Sequence, residues 1–228
     1  MSRASYRFLS GNALKILAAI FMTLDHMGYM LFPKLLPLRI LGRLAMPIFA
    51  FMIAEGCKYT RNKKKYFGMV FGLGLICQIV YTIANRDWYL SILITFSLSI
   101  LVIYALQHYK QCRNLPSGLL LAGSIAAVWI LNQTFEIDYG FWGCMLPVFV
   151  SLPHGTSRDN HPASMATLTI GLIFLSIALG DIQIFSLLAL PLLFCYSGQR
   201  GKLRMKYFFY IFYPAHLVIL QAIAMLIR

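Results

Sequence analysis

The stretch Asn12-Ala-Leu-Lys15-Ile-Leu-Ala-Ala-Ile-Phe-Met-Thr-Leu-Asp25-His26-Met-Gly-Tyr-Met-Leu-Phe32 decides the fold. It is as long as the roughly 20 apolar residues that carry a helix across a bilayer. Yet it holds a lysine, an aspartate and a histidine. A charged side chain at the centre of a membrane helix costs roughly 2.5–3.5 kcal/mol on insertion scales, so each such residue needs a partner or a task. Lys15 and His26 stand eleven positions apart. At about 100° per residue they return to within roughly 20° of one face, displaced by about 16 Å along the axis. They cannot touch, but they can line one groove. Asp25 lies about 100° around the helix from His26 and is an imperfect partner within that helix.

The rest of the chain repeats the membrane signal. Of 228 residues, 60% are hydrophobic and 12% charged, against about 25% charged in a soluble domain. Nine apolar runs are read, at 12–32, 36–56, 66–85, 90–107, 116–134, 138–152, 163–179, 181–198 and 207–227. The seventh and eighth are read as a tight hairpin turning at Gly180-Asp181. No linker or repeat divides them, so the expectation is one all-α domain over 1–228, a polytopic transmembrane bundle of about nine helices. The first run is long, carries charge and lacks a small-x-small exit, so it is read as a retained helix rather than a cleaved signal.

Loop charges orient the bundle. There are 20 Lys and Arg against 7 Asp and Glu. Such an excess marks cytoplasmic loops and anionic lipid rather than nucleic acid here. The stretch Lys58-Tyr-Thr-Arg61-Asn-Lys-Lys-Lys65 is the most basic. With it inside, alternation places Arg3 and Arg7, Lys110 and Arg113, Arg158, and Arg200, Lys202, Arg204 and Lys206 inside as well. Asp87, Glu136, Asp138 and Asp181 fall outside. The expected topology has the N-terminus cytoplasmic and the C-terminus outside. The five cysteines form no CxxC pair and are read as small buried hydrophobes. His108, His154 and His161 are read as solvated loop residues.

The candidate site residues are the ionisable groups at membrane depth. His26 is a candidate general base, with Asp25 setting its charge or tautomer. The plainer alternative is a buried Asp25–Arg43 ion pair beside a packed His26. In the second run Arg39 and Arg43 share a face one turn apart, and Pro47 is expected to bend the helix. Glu55 sits near the basic loop and is either a site residue or neutralised locally. Asp138-Tyr-Gly140, Gly180-Asp181-Ile-Gln183, Asn85 and Thr95 are turn or cap chemistry, or together an acidic mouth suited to a cationic amine. Tyr207, Tyr210 and Tyr213 recur every three residues in the last run, and His216 lies near its middle. No HExxH, GxSxG, P-loop or GxGxxG followed by a helix is present, and no metal site is expected.

These residues fall into blocks that resemble the TraX family, the conjugal-transfer pilin acetylases. The blocks are Leu14-Lys-Ile through Asp25-His26-Met-Gly28, Arg39-Ile-Leu-Gly-Arg43 through Ile53-Ala-Glu-Gly56, and Lys58-Tyr-Thr-Arg61. They continue with Thr95-Phe-Ser-Leu98, Asp138-Tyr-Gly140, Gln183 through Leu190-Pro191, and Lys206 through Pro214-Ala-His216. The family is similar to a wider group of integral-membrane acyltransferases that place a basic residue, often arginine, and a histidine eleven apart on an early helix. Lys15 and His26 match that pair, with lysine lacking the bidentate fork of arginine. The resemblance implies acetyl transfer from cytoplasmic acetyl-CoA, across a bacterial cytoplasmic membrane, to an outer-face acceptor. The acceptor is a pilin-like peptide N-terminus or an envelope glycan. Lys15, Lys58, Arg61 and Lys206 would hold the anionic donor. His26 with Asp25 would be catalytic, and Arg43, Tyr213, His216, Asp138 and Glu55 would meet the substrate or its developing oxyanion. Two other classes remain: a proton-coupled transporter using Asp25, His26, Arg43 and His216, and a scaffold that tolerates uncharged replacements there.

Overall fold

The computed structural model describes residues 7–85, 89–153, 160–201 and 206–227, and of residues 80, 83–85 and 206–210 the backbone alone. Arg3, Asp87, His154, Arg158, Lys202 and Arg204 lie outside the described residues, as do the side chains of Asn85, Lys206, Tyr207 and Tyr210. Among the described residues the fold is all-helical, with two isolated bridges and no strand. The helices are α1 (Gly11–Met30), α2 (Leu36–Gly42), α3 (Ala45–Tyr59), α4 (Lys63–Asn85), α5 (Ile92–Cys112), α6 (Leu115–Thr134), α7 (Gly140–Ser151), α8 (His161–Leu179), α9 (Ala189–Phe194) and α10 (Lys206–Ile227). A 3₁₀ segment, Asp181–Leu188, leads into α9.

Each of the nine apolar runs is helical, two of them in two pieces. Four described segments are long and apolar enough to cross a membrane: Leu36–Tyr59, Ile92–Cys112, Leu115–Thr134 and His161–Leu179. Among the described residues the chain is all-helical, and its long apolar helices mark it as a membrane protein. α1 spans 20 residues, about 30 Å, and its ionisable groups Lys15, Asp25 and His26 are what lower its apolarity. α7, at 12 residues, is about 18 Å long, well short of the roughly 30 Å hydrocarbon core.

Both two-piece runs break for the same reason. Proline offers no N–H to the carbonyl four residues back, and its ring clashes with it. Pro47 removes the bond to Arg43, and the helix parts between Gly42 and Ala45. Pro191 does the same to Leu187, where the 3₁₀ segment gives way to α9. The two breaks share a spelling, Leu44-Ala-Met-Pro47 and Leu188-Ala-Leu-Pro191. The broken runs pack against one another. The expected helix over 181–198 is therefore corrected to a 3₁₀ stretch and a short α-helix ending at Phe194. The hairpin at Gly180-Asp181 is present, with φ of 65° and 45° at its two residues.

The core has two parts. Leu14, Ala18, Ile48, Phe51, Leu168, Leu172 and Leu193 join α1, α3, α8 and α9. Ile100, Ile103, Cys144, Met145 and Val148 join α5 to α7. α6 stands at the rim and buries only Ser117 and Val128. Cys57, Cys77 and Cys144 are buried, Cys112 is exposed, and all five cysteines are free. His161 corrects the solvated-loop expectation. It is 2% exposed, because it is the first residue of α8, packed edge-on to Phe51 with its Nε2 3.3 Å from the Phe194 carbonyl.

α1 and α2 cross at Gly42. A Cβ there would fall on the Asp25 side chain and lie 2.7 Å from the Asp25 Cα. Backbone cannot yield as a flexible side chain can. Gly42→Ala is expected to cost about 1–3 kcal/mol or more, the usual range for overpacking. It should appear as a lower melting temperature of the purified chain in detergent; an unchanged melt would show that the crossing adjusts freely.

Candidate functional site

A cavity of about 370 Å³ runs between α1, α3, α4, α5 and α10. Lys15 lies towards one end and His26 towards the other, so one helix lines the passage over about 16 Å. Asn12 and Arg200 join Lys15. Met22, Met46, Met52 and Met69, with Phe49, Leu73 and Phe96, wall the middle. Asp25, His26, Asp138, Tyr139, Phe212 and Tyr213 form the far end.

The Lys15 end is built by a junction of two distant segments. Leu9 N donates to Cys195 O (2.9 Å), Gly11 N to Gln199 O (2.7 Å) and Asn12 N to Arg200 O (3.0 Å). Ser10 caps α1 by accepting from Ala13 N at 3.2 Å. The first amides of α1 are thus already bonded, and the positive character of this end comes from Lys15 and Arg200. Gly201, at φ 92°, makes the close approach possible, since a Cβ there would sit 2.9 Å from Ser10 Oγ. The lining carboxylates, Asp25 and Asp138, both lie at the far end.

At that far end Asp25 holds two arginines of α2. Arg39 Nη1 donates to Asp25 Oδ2 at 2.9 Å, and Arg43 Nη2 donates to Oδ1. Arg39 also reaches the Asp25 backbone oxygen at 3.3 Å. Arg43 Nη1 donates to Gln183 Oε1 at 3.4 Å, and its guanidinium lies 5.9 Å from the Tyr139 ring centre. The helix break at Pro47 is what lets Arg43 end α2 and turn towards this cluster. Arg43 is not among the lining residues; it stands behind Tyr139.

Asp138 is fixed from three sides. Tyr89 OH donates to its Oδ1 at 2.7 Å, Thr95 Oγ1 donates to its backbone oxygen at 2.9 Å, and its own N–H donates to Leu90 O at 2.9 Å. Gln78 braces Tyr89 by donating to its carbonyl at 2.9 Å. Tyr139 and Gly140 both adopt left-handed backbone, φ 60° at each. For a tyrosine that conformation is costly and marks a position held by its surroundings. It aims the Tyr139 ring into the cavity.

His26 is matched with a residue 190 positions away. Its Nδ1 lies 2.9 Å from His216 Nε2, and His216 Nδ1 lies 2.9 Å from the Phe212 carbonyl. The two ring planes are inclined by 27°, with centres 5.1 Å apart, so the rings meet end to end. His216 is buried, 6% exposed, and Tyr213 meets it edge-on.

The structure therefore brings Lys15, Asp25, His26, Asp138 and Tyr213 to one cavity, with Arg43 and His216 directly behind its wall. Glu55 is elsewhere: it is buried and accepts from Tyr196 OH at 3.1 Å. Lys58 lies in the last turn of α3, Arg61 is exposed in the following loop, and neither lines the cavity. Lys206 opens α10. Asp25 turns away from His26 to the α2 arginines, so the group beside the imidazole is a second imidazole. Sequence reasoning singled out no role for Tyr139, Tyr89 or Arg200. The Asp138-Tyr-Gly140 turn signal carried the first; nothing local carried the other two.

The sequence pattern of the family described as "TraX protein" matches residues 10–224. The chain belongs to the TraX family. The match covers α1 through nearly all of α10, hence both walls of the cavity. Among curated TraX-like proteins, a probable fimbrial assembly protein FimC, serogroup H1, of Dichelobacter nodosus is 27% identical over 96% of this chain and 97% of its own length. Protein TraX of Escherichia coli is 26% identical over 94% of this chain and 87% of its own. No solved structure matches this TraX-family chain.

Proposed function

We propose that the chain is a multi-pass acetyltransferase of the bacterial cytoplasmic membrane. In this reading it has nine spans, with the N-terminus cytoplasmic and the C-terminus outside. It moves an acetyl group from cytoplasmic acetyl-CoA to an amine or hydroxyl at the outer face. The observation that carries the reading is the single cavity joining Lys15 to His26. The relatives' names, TraX and fimbrial assembly, favour a pilin-like peptide as acceptor, with an envelope glycan as the other class.

The residues present fit such a donor. Lys15 and Arg200 offer positive charge at one mouth, away from the two lining carboxylates, which suits phosphate groups. The methionine-rich middle is apolar and conformationally adaptable, as an irregular slim chain needs. Its size falls within the usual range for small-molecule sites. Acetyl-CoA supplies an activated acyl group as a thioester. At the far end a neutral His26 takes the proton of the attacking amine or hydroxyl as the new bond to the acyl carbon forms. That proton then passes to the departing sulfur, so the products are the acetylated acceptor and the free thiol. Tyr139 and Tyr213 line the wall where negative charge would develop on the acyl oxygen, and Arg43 lies behind Tyr139 as a fixed positive charge. Asp138, beside them, favours an acceptor that arrives as a cationic amine, which releases one proton to water before its lone pair attacks and gives the second to His26 as the bond forms.

The test is acetyl-CoA turnover by the purified chain in lipid, with mass analysis of peptide and glycan acceptors. Lys15→Ala and Arg200→Ala are each expected to raise KM for acetyl-CoA about tenfold, the worth of one charge-assisted hydrogen bond, with a smaller change in kcat. Acetyl-CoA-independent flux of protons or solutes through proteoliposomes, with no turnover, would replace this reading with a transporter.

A further inference from the structure

We propose that His216 is a positioning residue that holds His26 in the one neutral tautomer whose Nε2 is bare and able to accept a proton. The inference rests on the reading of His26 as the base, and it follows from three atoms in a line. The Phe212 carbonyl oxygen can only accept, so at 2.9 Å the His216 Nδ1 must donate to it. A neutral His216 then has no proton on Nε2, and that nitrogen accepts. Its partner at 2.9 Å is His26 Nδ1, which must therefore carry the proton. A neutral imidazole carries only one ring proton, so His26 Nε2 is left as a lone pair. In a water-exposed histidine neither nitrogen is fixed in this way; here a backbone carbonyl one turn earlier on α10 selects the tautomer of a side chain on α1.

The arrangement has the logic of a base held by an orienting group, with an imidazole in the place where a carboxylate commonly stands. It also gives the proton somewhere to go. When His26 Nε2 accepts a proton, its Nδ1 proton lies in line with His216 Nε2, so positive charge is shared between two rings. Asp25, the expected orienter, directs its carboxylate to Arg39 and Arg43 instead, and the partner of the imidazole is His216. The pair also ties the last helix to the first, because the contact exists only when α10 packs on α1.

The direct measurement is the ¹⁵N spectrum of histidine-labelled full-length protein in lipid nanodiscs, with His26 assigned by its absence in His26→Ala. The expected spectrum has a protonated Nδ1 and a bare Nε2. A bare Nδ1 overturns the proposal without any variant. In His216→Leu the acceptor is lost, and the His26 signals are expected to move to the other tautomer or to a mixture; unchanged signals overturn the proposal. His216→Gln retains an oxygen acceptor, so it is expected to keep the tautomer and most of kcat, whereas loss of the tautomer there overturns the proposal even if His216→Leu fails to fold. In turnover, His216→Leu is expected to lower kcat about 10²-fold or more with KM for acetyl-CoA unchanged. A His26→Ala chain that still turns over acetyl-CoA would remove the base assignment alone, because the tautomer result is read without activity.

Discussion

His26→Ala, purified and returned to lipid, is expected to release thiol from acetyl-CoA about 10²–10⁴-fold more slowly than the unaltered chain, the range that a positioned general base contributes. The substitution removes the one imidazole that lines the cavity at the end remote from Lys15. It leaves the Asp25 cluster and the core of α1 intact. His26 is only partly buried, so the cost to folding should stay within about 1–3 kcal/mol, that of leaving one buried acceptor on His216 unpaired, a modest fall in melting temperature. KM for acetyl-CoA should also change little, because the proposed donor contacts lie about 16 Å away along α1. A large fall in kcat in a chain that still melts cooperatively separates chemistry from collapse. Full activity in this variant would defeat the catalytic assignment, whatever the rest of the cavity does.

Asp25→Ala is expected to act through stability instead. One carboxylate there compensates two guanidiniums, whose side chains are 25% and 12% exposed. Removing one partner of a buried pair leaves an uncompensated charge and costs about 3–5 kcal/mol. In a membrane interior the loss should show as poor recovery from detergent extraction or a steep fall in melting temperature. The triple change Asp25→Ala, Arg39→Leu, Arg43→Leu should recover much of that loss, because replacing a whole ion cluster by apolar groups is milder than orphaning part of it. If Asp25→Ala melts like the unaltered chain, the arginines find other partners and the cluster is not what joins α1 to α2.

The two substitutions fall on neighbouring residues of one helix, and they separate because 100° of helical rotation sends them to different neighbours. Asp25 faces α2, and Gly42 lets the two backbones approach closely enough for the arginines to reach it. His26 faces the cavity and α10. Asp25 thus meets two guanidiniums, and His26 meets a second imidazole.

Much of the fold was legible in the sequence, for a physical reason. A lipid solvent forces each spanning segment to satisfy its own backbone hydrogen bonds, so apolar length alone announces a helix. That located the helical runs and the Gly180-Asp181 turn, and Pro47 announced a bend, which the structure shows as a parting of α2 from α3. It could not show that Pro191 leaves mainly 3₁₀ structure, because the choice between 3₁₀ and α is set by packing against α2 and α8. It misplaced His161, since a histidine at the head of a helix reads as solvated until the aromatic wall of Phe51 and Phe194 is in place. Helical periodicity also put Lys15 and His26 on one face, as a property of α1 alone.

The amino-acid order by itself determined that this is a helical membrane chain of the TraX kind, with ionisable groups where lipid would reject them unless they were used. Only the tertiary structure decided which group meets which. Arg39 joins Arg43 on Asp25, Tyr89 and Thr95 secure Asp138, Arg200 comes to Lys15, and His216 comes to His26 from 190 residues away. Periodicity fixes the direction of a side chain on its own helix, whereas its partner depends on which helices pack together.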